Sequence, residues 1–255
     1  MTDDTKRRRR RRPQKKRRSR GFIYAAFCLI VVGGLSIYSI SNFFIVREIK
    51  VSGINKVKRQ DIVSACGVEN GDNLVLLSTR AAANRLYGVS TYIEKVTVRR
   101  RLPDTLEIIV VEGLPVAAIV DDDGIWLISM KGKLLEKLGA DSPVSLTLIE
   151  NYDLDNPMEG GPAQSENKTR RETMIVLLKE FTKADMLSDV ASVDAEKLYD
   201  FTFMYMGRLE VHLGMPEDIG RKLRFLVSLD QAIGQQAGKV FFEDERARFV
   251  PENIV

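Results

Sequence analysis

The chain has 255 residues and a formal net charge of +4, a length that suits two small folded units with additions and excludes a single ordinary domain. Twelve basic residues between Lys6 and Arg20 against Asp3 and Asp4 give residues 1–20 a charge of +10, which leaves −6 for the rest of the chain. The overall basic balance therefore describes a tail, and the folded part does not have the charge of a nucleic-acid-binding protein.

The tail itself admits three readings: adhesion to anionic lipid, topology determination, or nucleic-acid contact, the last disfavoured because no aromatic residue is interleaved to stack on bases. Residues 21–46 follow without a charged side chain, and 22–35 are almost continuously apolar. Twenty-five helical residues would reach roughly 37 Å, more than a hydrocarbon core of about 30 Å. The segment is expected to be a transmembrane helix, with residues 1–20 cytoplasmic and everything after about 46 outside, in single-pass type II topology. Cleavage as a secretory signal at Ser39-Ile40-Ser41 is the alternative. Cys28 in this segment and Cys66 in a soluble helix pattern have no means of meeting, so no disulfide framework is expected, and acylation of Cys28 is a minor alternative to its being apolar filler.

From residue 47 short strands alternate with helices. Ile49 and Val51 alternate with polar neighbours up to Gly53, as in a half-buried strand. Residues 58–66 read as a helix closed by Gly67, and Ser78 or Thr79 caps a second that carries Ala82, Ala83 and Leu86 and ends at Gly88. Strands at 93–101 and 105–111 are joined through Leu102-Pro103-Asp104. This order predicts a three-stranded sheet with two helices on one face.

These residues resemble the POTRA domain of the bacterial FtsQ/DivIB cell-division family. The resemblance rests on Val51-Ser52-Gly53, Gly71-Asp72-Asn73-Leu74, Tyr92 through Arg100, Leu102-Pro103-Asp104-Thr105-Leu106, Glu112 and Pro115-Val116-Ala117. It implies a POTRA unit over residues 47–114 and a β-rich domain over 115–255. Gly113 departs from the pattern, since a basic residue commonly follows the glutamate there.

In the second unit, strands 116–120 and 125–130 flank Asp121-Asp122-Asp123-Gly124, a hairpin signal whose consecutive acids lack the alternating spacing of a calcium loop. Lys131-Gly132-Lys133 offers a second turn. Residues 151–168 read as an exposed loop. A capping box of Thr169 and Glu172 then opens a helix with Met174, Leu177, Leu178 and Phe181 on one stripe, and the same threonine completes the glycosylation sequon that begins at Asn167. A hairpin turns at Met206-Gly207, Pro216 opens a helix with Ile219, Leu223, Leu226, Val227 and Ile233 on one face, and short strands fall at 239–242 and 246–250. The fold class is α+β: one transmembrane helix, a β-α-α-β-β POTRA unit and a β-rich mixed domain.

Catalytic signals are few. His212, the single histidine, sits in a strand pattern as an outward, solvated residue, and neither nucleophile motifs, phosphate-cradling loops nor Cys/His metal spacings occur. No catalytic residue, metal site or cofactor is expected. A binding role through strand addition at an open edge is expected instead, on Val240, Phe241, Phe242, Glu243, Glu245 and Phe249 of the final strands. The resemblance implies a non-enzymatic divisome scaffold at the septum, without cofactor. Its partners would be FtsB/DivIC-like and FtsL-like proteins and, indirectly, the septal peptidoglycan synthase, with Arg99, Arg100 and Arg101 as POTRA contacts and no specific nucleic acid. A POTRA-bearing envelope assembly or secretion component, a membrane-tethered cell-wall enzyme and a nucleoid tether are the competing readings.

Overall fold

The computed structural model describes residues 20–243 and 246–252, without the side chains of residues 20, 37 and 40–42. Helix α1 (Arg20–Phe43) carries no acid in its first turn and no base in its last, and exposes Phe22, Phe27, Leu29 and Ile30 along its length. Among the described residues no helix is long and apolar enough to cross a membrane. The helix also stops short of the expected boundary at 46, because Phe44 and Val46 turn aside to join the core of the next unit.

That unit comprises β1 (Glu48–Ser52), α2 (Arg59–Cys66), α3 (Thr79–Leu86), β2 (Ile93–Arg101) and β3 (Thr105–Glu112), in the sheet order β1-β3-β2. β1 runs parallel to β3 and β2 antiparallel. Local chemistry sets these boundaries. Ser78 accepts the Ala81 N–H to start α3, and Gly67 takes the left-handed conformation that ends α2, where a side chain would be strained. Ile62, Cys66, Ala82 and Leu86 from the helices bury against Ile93, Leu106 and Ile108 of the sheet.

The second unit builds one nine-stranded sheet from β4 (Pro115–Asp121), β5 (Gly124–Ser129), β6 (Leu134–Leu138), β7 (Thr147–Glu150), β8 (Val190–Asp194), β9 (Thr202–Tyr205), β10 (Leu209–His212), β11 (Gly238–Glu243) and β12 (Arg246–Pro251). Its order is β12-β11-β10-β9-β8-β7-β4-β5-β6. Helices α4 (Lys168–Lys183) and α5 (Ile219–Ile233) cover one face, where Leu177, Leu178, Phe181, Leu223 and Leu226 meet Ile149, Val193, Phe203, Val211 and Val240.

Three features differ from the sequence reading. Asn167, not Thr169, caps α4, its side-chain oxygen accepting the Thr169 N–H at 2.9 Å. Residues 151–167 are not a free loop: Tyr152 is fully buried, its hydroxyl donates to the Ala163 carbonyl at 3.0 Å, and burial pushes its phenol up to about 12. The central strands β7 and β8 carry no expectation in the sequence reading at all.

Only Gly113 and Leu114 separate β3 from β4, and polar bonds fasten the junction. Lys56 Nζ donates to the Tyr92 hydroxyl (2.8 Å), which donates to Glu136 (2.5 Å), while Lys131 pairs with Glu94 (2.8 Å) and Lys133 Nζ donates to the Ile93 carbonyl (2.8 Å). A Cβ at Gly113 would stand 2.8 Å from Glu94 Oε1, a physical reason for glycine where the resemblance leads one to expect a basic residue.

Candidate partner-binding edge

A sheet strand with no neighbour presents unpaired N–H and C=O groups, and proteins normally blunt such edges. Among the described residues the two sheets have four: β1 and β2 in the small unit, β6 and β12 in the large one. At β1, the Arg59 guanidinium donates to the Ile49 carbonyl at 2.8 Å. At β2, the Tyr87 hydroxyl accepts the Val96 N–H at 3.3 Å. At β6, the Leu134 N–H donates to the Gly161 carbonyl and the Gly160 N–H donates back to Leu134, both at 2.8 Å, so the 151–167 segment lies along the edge as a cover.

β12 has no such cover among the described residues. Its register against β11 pairs Val240 with Phe249 and Phe242 with Ala247, and the Glu252 N–H donates to the Ala237 carbonyl at 3.0 Å. Backbone groups alternate sides along a strand, so Arg246, Arg248 and Val250 turn theirs toward β11. Ala247 and Phe249 turn theirs outward, each a free donor and acceptor, while Pro251 adds a carbonyl and no N–H. The bare edge thus offers a short antiparallel or parallel docking strip two residues apart.

The side chains sort oppositely. Ala247 and Phe249 pack against the large core, whereas Arg246, Arg248 and Val250 are exposed. Of the residues expected to meet a partner, Val240 (0% exposed) and Phe242 (7%) prove to be core residues of β11, and the sequence expectation is corrected for both. The cause is register: in β11 the even positions face α4 and α5. Phe241 lies on the opposite face, stacked on His212 at 4.5 Å between centroids with the Arg248 guanidinium 5.3 Å over its ring, and Glu243 is exposed, 3.9 Å from Arg248. Glu245 lies outside the described residues.

Sequence reasoning missed Ala247, Arg246 and Arg248, the residues that line the edge. The available signal was the strand alternation itself, taken with the terminal position of the strand.

His212 also departs from its expected solvated state. Its ring nitrogens face Asp200 (3.3 Å) and Glu210 (3.1 Å), and Lys239 closes on Glu210 at 2.7 Å, holding that carboxyl below its ordinary range. The arrangement is a cross-strand polar ladder on the outer face of β10 and β11. Among the described residues no group of three or more His, Cys, Asp or Glu side chains is placed to hold a metal. Arg99, Arg100 and Arg101 lie elsewhere, at the far end of the small sheet: Arg101 pairs with Glu107 at 2.9 Å and Arg100 donates to the Leu77 carbonyl at 2.5 Å.

One β-α-α-β-β unit joined by two residues to a larger mixed sheet defines a two-domain chain with a POTRA-type first unit. Residues 44–112 match the family described as POTRA domain, FtsQ-type. Similar chains include the cell division protein FtsQ of Geobacter sp. (strain M21), 27% identical over 223 residues covering 86% of this chain and 80% of that one. Cell division protein DivIB of Clostridium tetani is 22% identical over 73% of this chain and 70% of its own. A solved extracytoplasmic domain of DivIB from Geobacillus stearothermophilus matches at a TM-score of 0.32 and 16% identity, over 48% of this chain and 94% of that one. The chain thus carries an FtsQ-type POTRA domain and is similar over most of its length to cell division proteins named FtsQ and DivIB.

Proposed function

We propose that this chain acts in bacterial cell division as a non-enzymatic scaffold, anchored in the membrane by α1, which captures a partner by adding the partner's strand to β12. The single observation that carries this reading is the difference among the four edges: β1, β2 and β6 each have at least one outward backbone group bonded by a side chain or a returning segment, and β12 has none among the described residues. Strand addition draws its affinity from those groups, and the neighbouring side chains supply selectivity. Exposed Arg246 and Arg248 beside the edge favour a strand with acidic residues. The names of the relatives support the division role, and the partners are taken as FtsB/DivIC-like and FtsL-like proteins, with indirect control of the septal peptidoglycan synthase.

Anchoring is supported by the uncharged stretch from Gly21 to Phe43 and by the exposed apolar side chains of α1, which lack a protein surface to cover them. The tail of residues 1–20 is then cytoplasmic and the two folded units lie outside, at the septum.

The test is co-purification of the full chain with an FtsB/DivIC-type and FtsL-type pair from the same cells, using Ala247→Pro. Proline at 247 deletes one outward N–H and leaves the ladder to β11 intact. Capture is expected to fall about tenfold, in line with the loss of one hydrogen bond and the clash at the ring. Unchanged capture by a folded Ala247→Pro chain overturns the β12 assignment.

A further inference from the structure

The small sheet has two ends, and the hydrogen bonds assign each a different neighbour. One end, with Tyr92 and Glu94, is spent on the junction with the large domain. At the other end the chain arriving from α1 is threaded between two loops. The Leu74 N–H donates to the Phe44 carbonyl, the Val46 N–H to Asp72 and the Gly71 N–H to Val46, all at 2.8 Å, while the Arg47 N–H donates to the Asp104 carbonyl at 2.8 Å. The 71–77 loop and the 102–104 turn therefore flank the point where α1 meets the domain.

Both loops carry apolar side chains outward at this point. Leu76 is 78% exposed and Leu102 62%, and Val75 is exposed beside them. The first tip is rigidly built: Asn73 Oδ1 accepts the N–H of Val75 at 2.9 Å and of Leu76 at 3.0 Å, which fixes the turn that holds Leu76 away from the core. β2 ends at the same place, bringing Arg99 and Arg100, both exposed, beside the tips; Arg100 is tethered to this loop through the Leu77 carbonyl. Exposed leucines at the same end of the sheet as exposed arginines are poorly suited to water and well suited to a phospholipid surface, where the leucines enter the acyl boundary and the guanidiniums meet phosphates.

We propose that this end of the POTRA unit docks on the face of the bilayer that α1 crosses, with Leu76 and Leu102 inserted and Arg99 and Arg100 on anionic headgroups. The inference rests on the anchor reading above. It assigns the arginines to lipid and not to a protein partner, and it holds the domain at a fixed height and orientation, so that β12 is presented at a set distance from the membrane.

The test uses the full chain in nanodiscs of phosphatidylcholine and phosphatidylglycerol whose acyl chains are brominated, which quench indole fluorescence on contact. Leu76→Trp adds an indole at the tip, Phe27→Trp adds one within α1, and Trp126, buried in β5, is the internal reference. Quenching of the indole introduced at 76, weakened by Arg99→Ser with Arg100→Ser or by omitting phosphatidylglycerol, is the expected result. Each arginine is expected to shift the docked-to-undocked ratio by roughly fivefold. Quenching at 27 without quenching at 76 overturns the docking and leaves the anchor standing, whereas quenching at neither position overturns the anchor as well. Quenching at 76 that ignores both the arginines and the lipid charge overturns the headgroup assignment.

Discussion

β6 and β12 close the same sheet at opposite ends, and the chain treats them differently. After β7 the chain returns through residues 151–167 to lie along β6, pinned by the buried Tyr152 and by paired bonds at Leu134. Among the described residues β12 is the last strand, and what blunts it there is two arginines and a proline. An exposed edge is a hazard that folding proteins suppress; residues 151–167 cover one edge of this sheet, and among the described residues nothing covers the other, which is the contrast the proposed strand addition rests on. The smaller sheet makes the same point with less material, one guanidinium at β1 and one phenol at β2.

The largest effect is expected from removing the cover. Tyr152→Ala deletes a fully buried aromatic side chain and its bond to Ala163, at a cost of about 4 kcal/mol. Chemical denaturation should show this loss, and amide exchange at Leu134 should accelerate well beyond that at Val240. An unchanged Leu134 rate in the folded variant would show that the segment does not protect β6, and the contrast between the edges would fail.

A pair of prolines sharpens the contrast at β12 itself. In Arg248→Pro the lost N–H is one turned toward β11, so the ladder breaks and stability should fall by about 3 kcal/mol. Ala247→Pro loses an outward N–H and should cost less than about 1 kcal/mol while abolishing most of the partner capture. Equal destabilisation by the two variants, read from urea unfolding midpoints, would mean that the backbone sides have been assigned the wrong way round.

Beyond the end of β1, the protection comes from a carboxylate. Glu112 accepts the N–H groups of Asn55, Lys56 and Val57 at 3.0, 2.9 and 3.0 Å. Burial works to raise its pKa, but these three donors and the charge of Lys56 outweigh it and hold the carboxyl below the ordinary glutamate range. A lowered folded-state pKa contributes stability that is complete above the unfolded value near 4.5 and is lost as the pH falls through the folded value. Glu112→Gln should therefore cost about 1–3 kcal/mol at neutral pH and flatten the acid limb of the stability profile below pH about 4.5. A variant whose acid limb matches that of the parent would remove Glu112 from the account.

How far the molecule was legible in its sequence follows from the range of the interactions. The POTRA unit is specified by neighbours in sequence: Ser78 capping three residues ahead, Gly67 closing α2, alternation in β2 and β3, and Pro103 in the turn between them. Hairpin signals at Asp121–Gly124 and Met206-Gly207 were equally local. β7 and β8 were not, because strands of four and five residues are too short to carry a clear pattern, and the parallel pairings of β7 with β4 and with β8 join segments far apart in the chain. The site was half legible for the same reason. That the last strands form an edge can be read from their position, but which of Val240, Phe241 and Phe242 faces outward depends on the helices packed beneath them.

The smallest effect concerns the edge that is closed by one side chain. Arg59→Met keeps the aliphatic stem of the residue and frees the Ile49 carbonyl, whose outward direction follows from the Glu48 N–H donating to Asp104 on the β3 side. The carbonyl then faces water, which replaces much of the lost bond, so the cost should be about 1 kcal/mol or less. The more telling readout is partner selectivity. If blunting by Arg59 is what keeps β1 from competing with β12, a strand peptide that binds the intact chain once should bind Arg59→Met at a second, weaker site detectable by titration calorimetry. A single site in both chains would mean that β1 is too short to accept a strand with or without its arginine, and that edge length, more than capping, separates the small sheet from the large one.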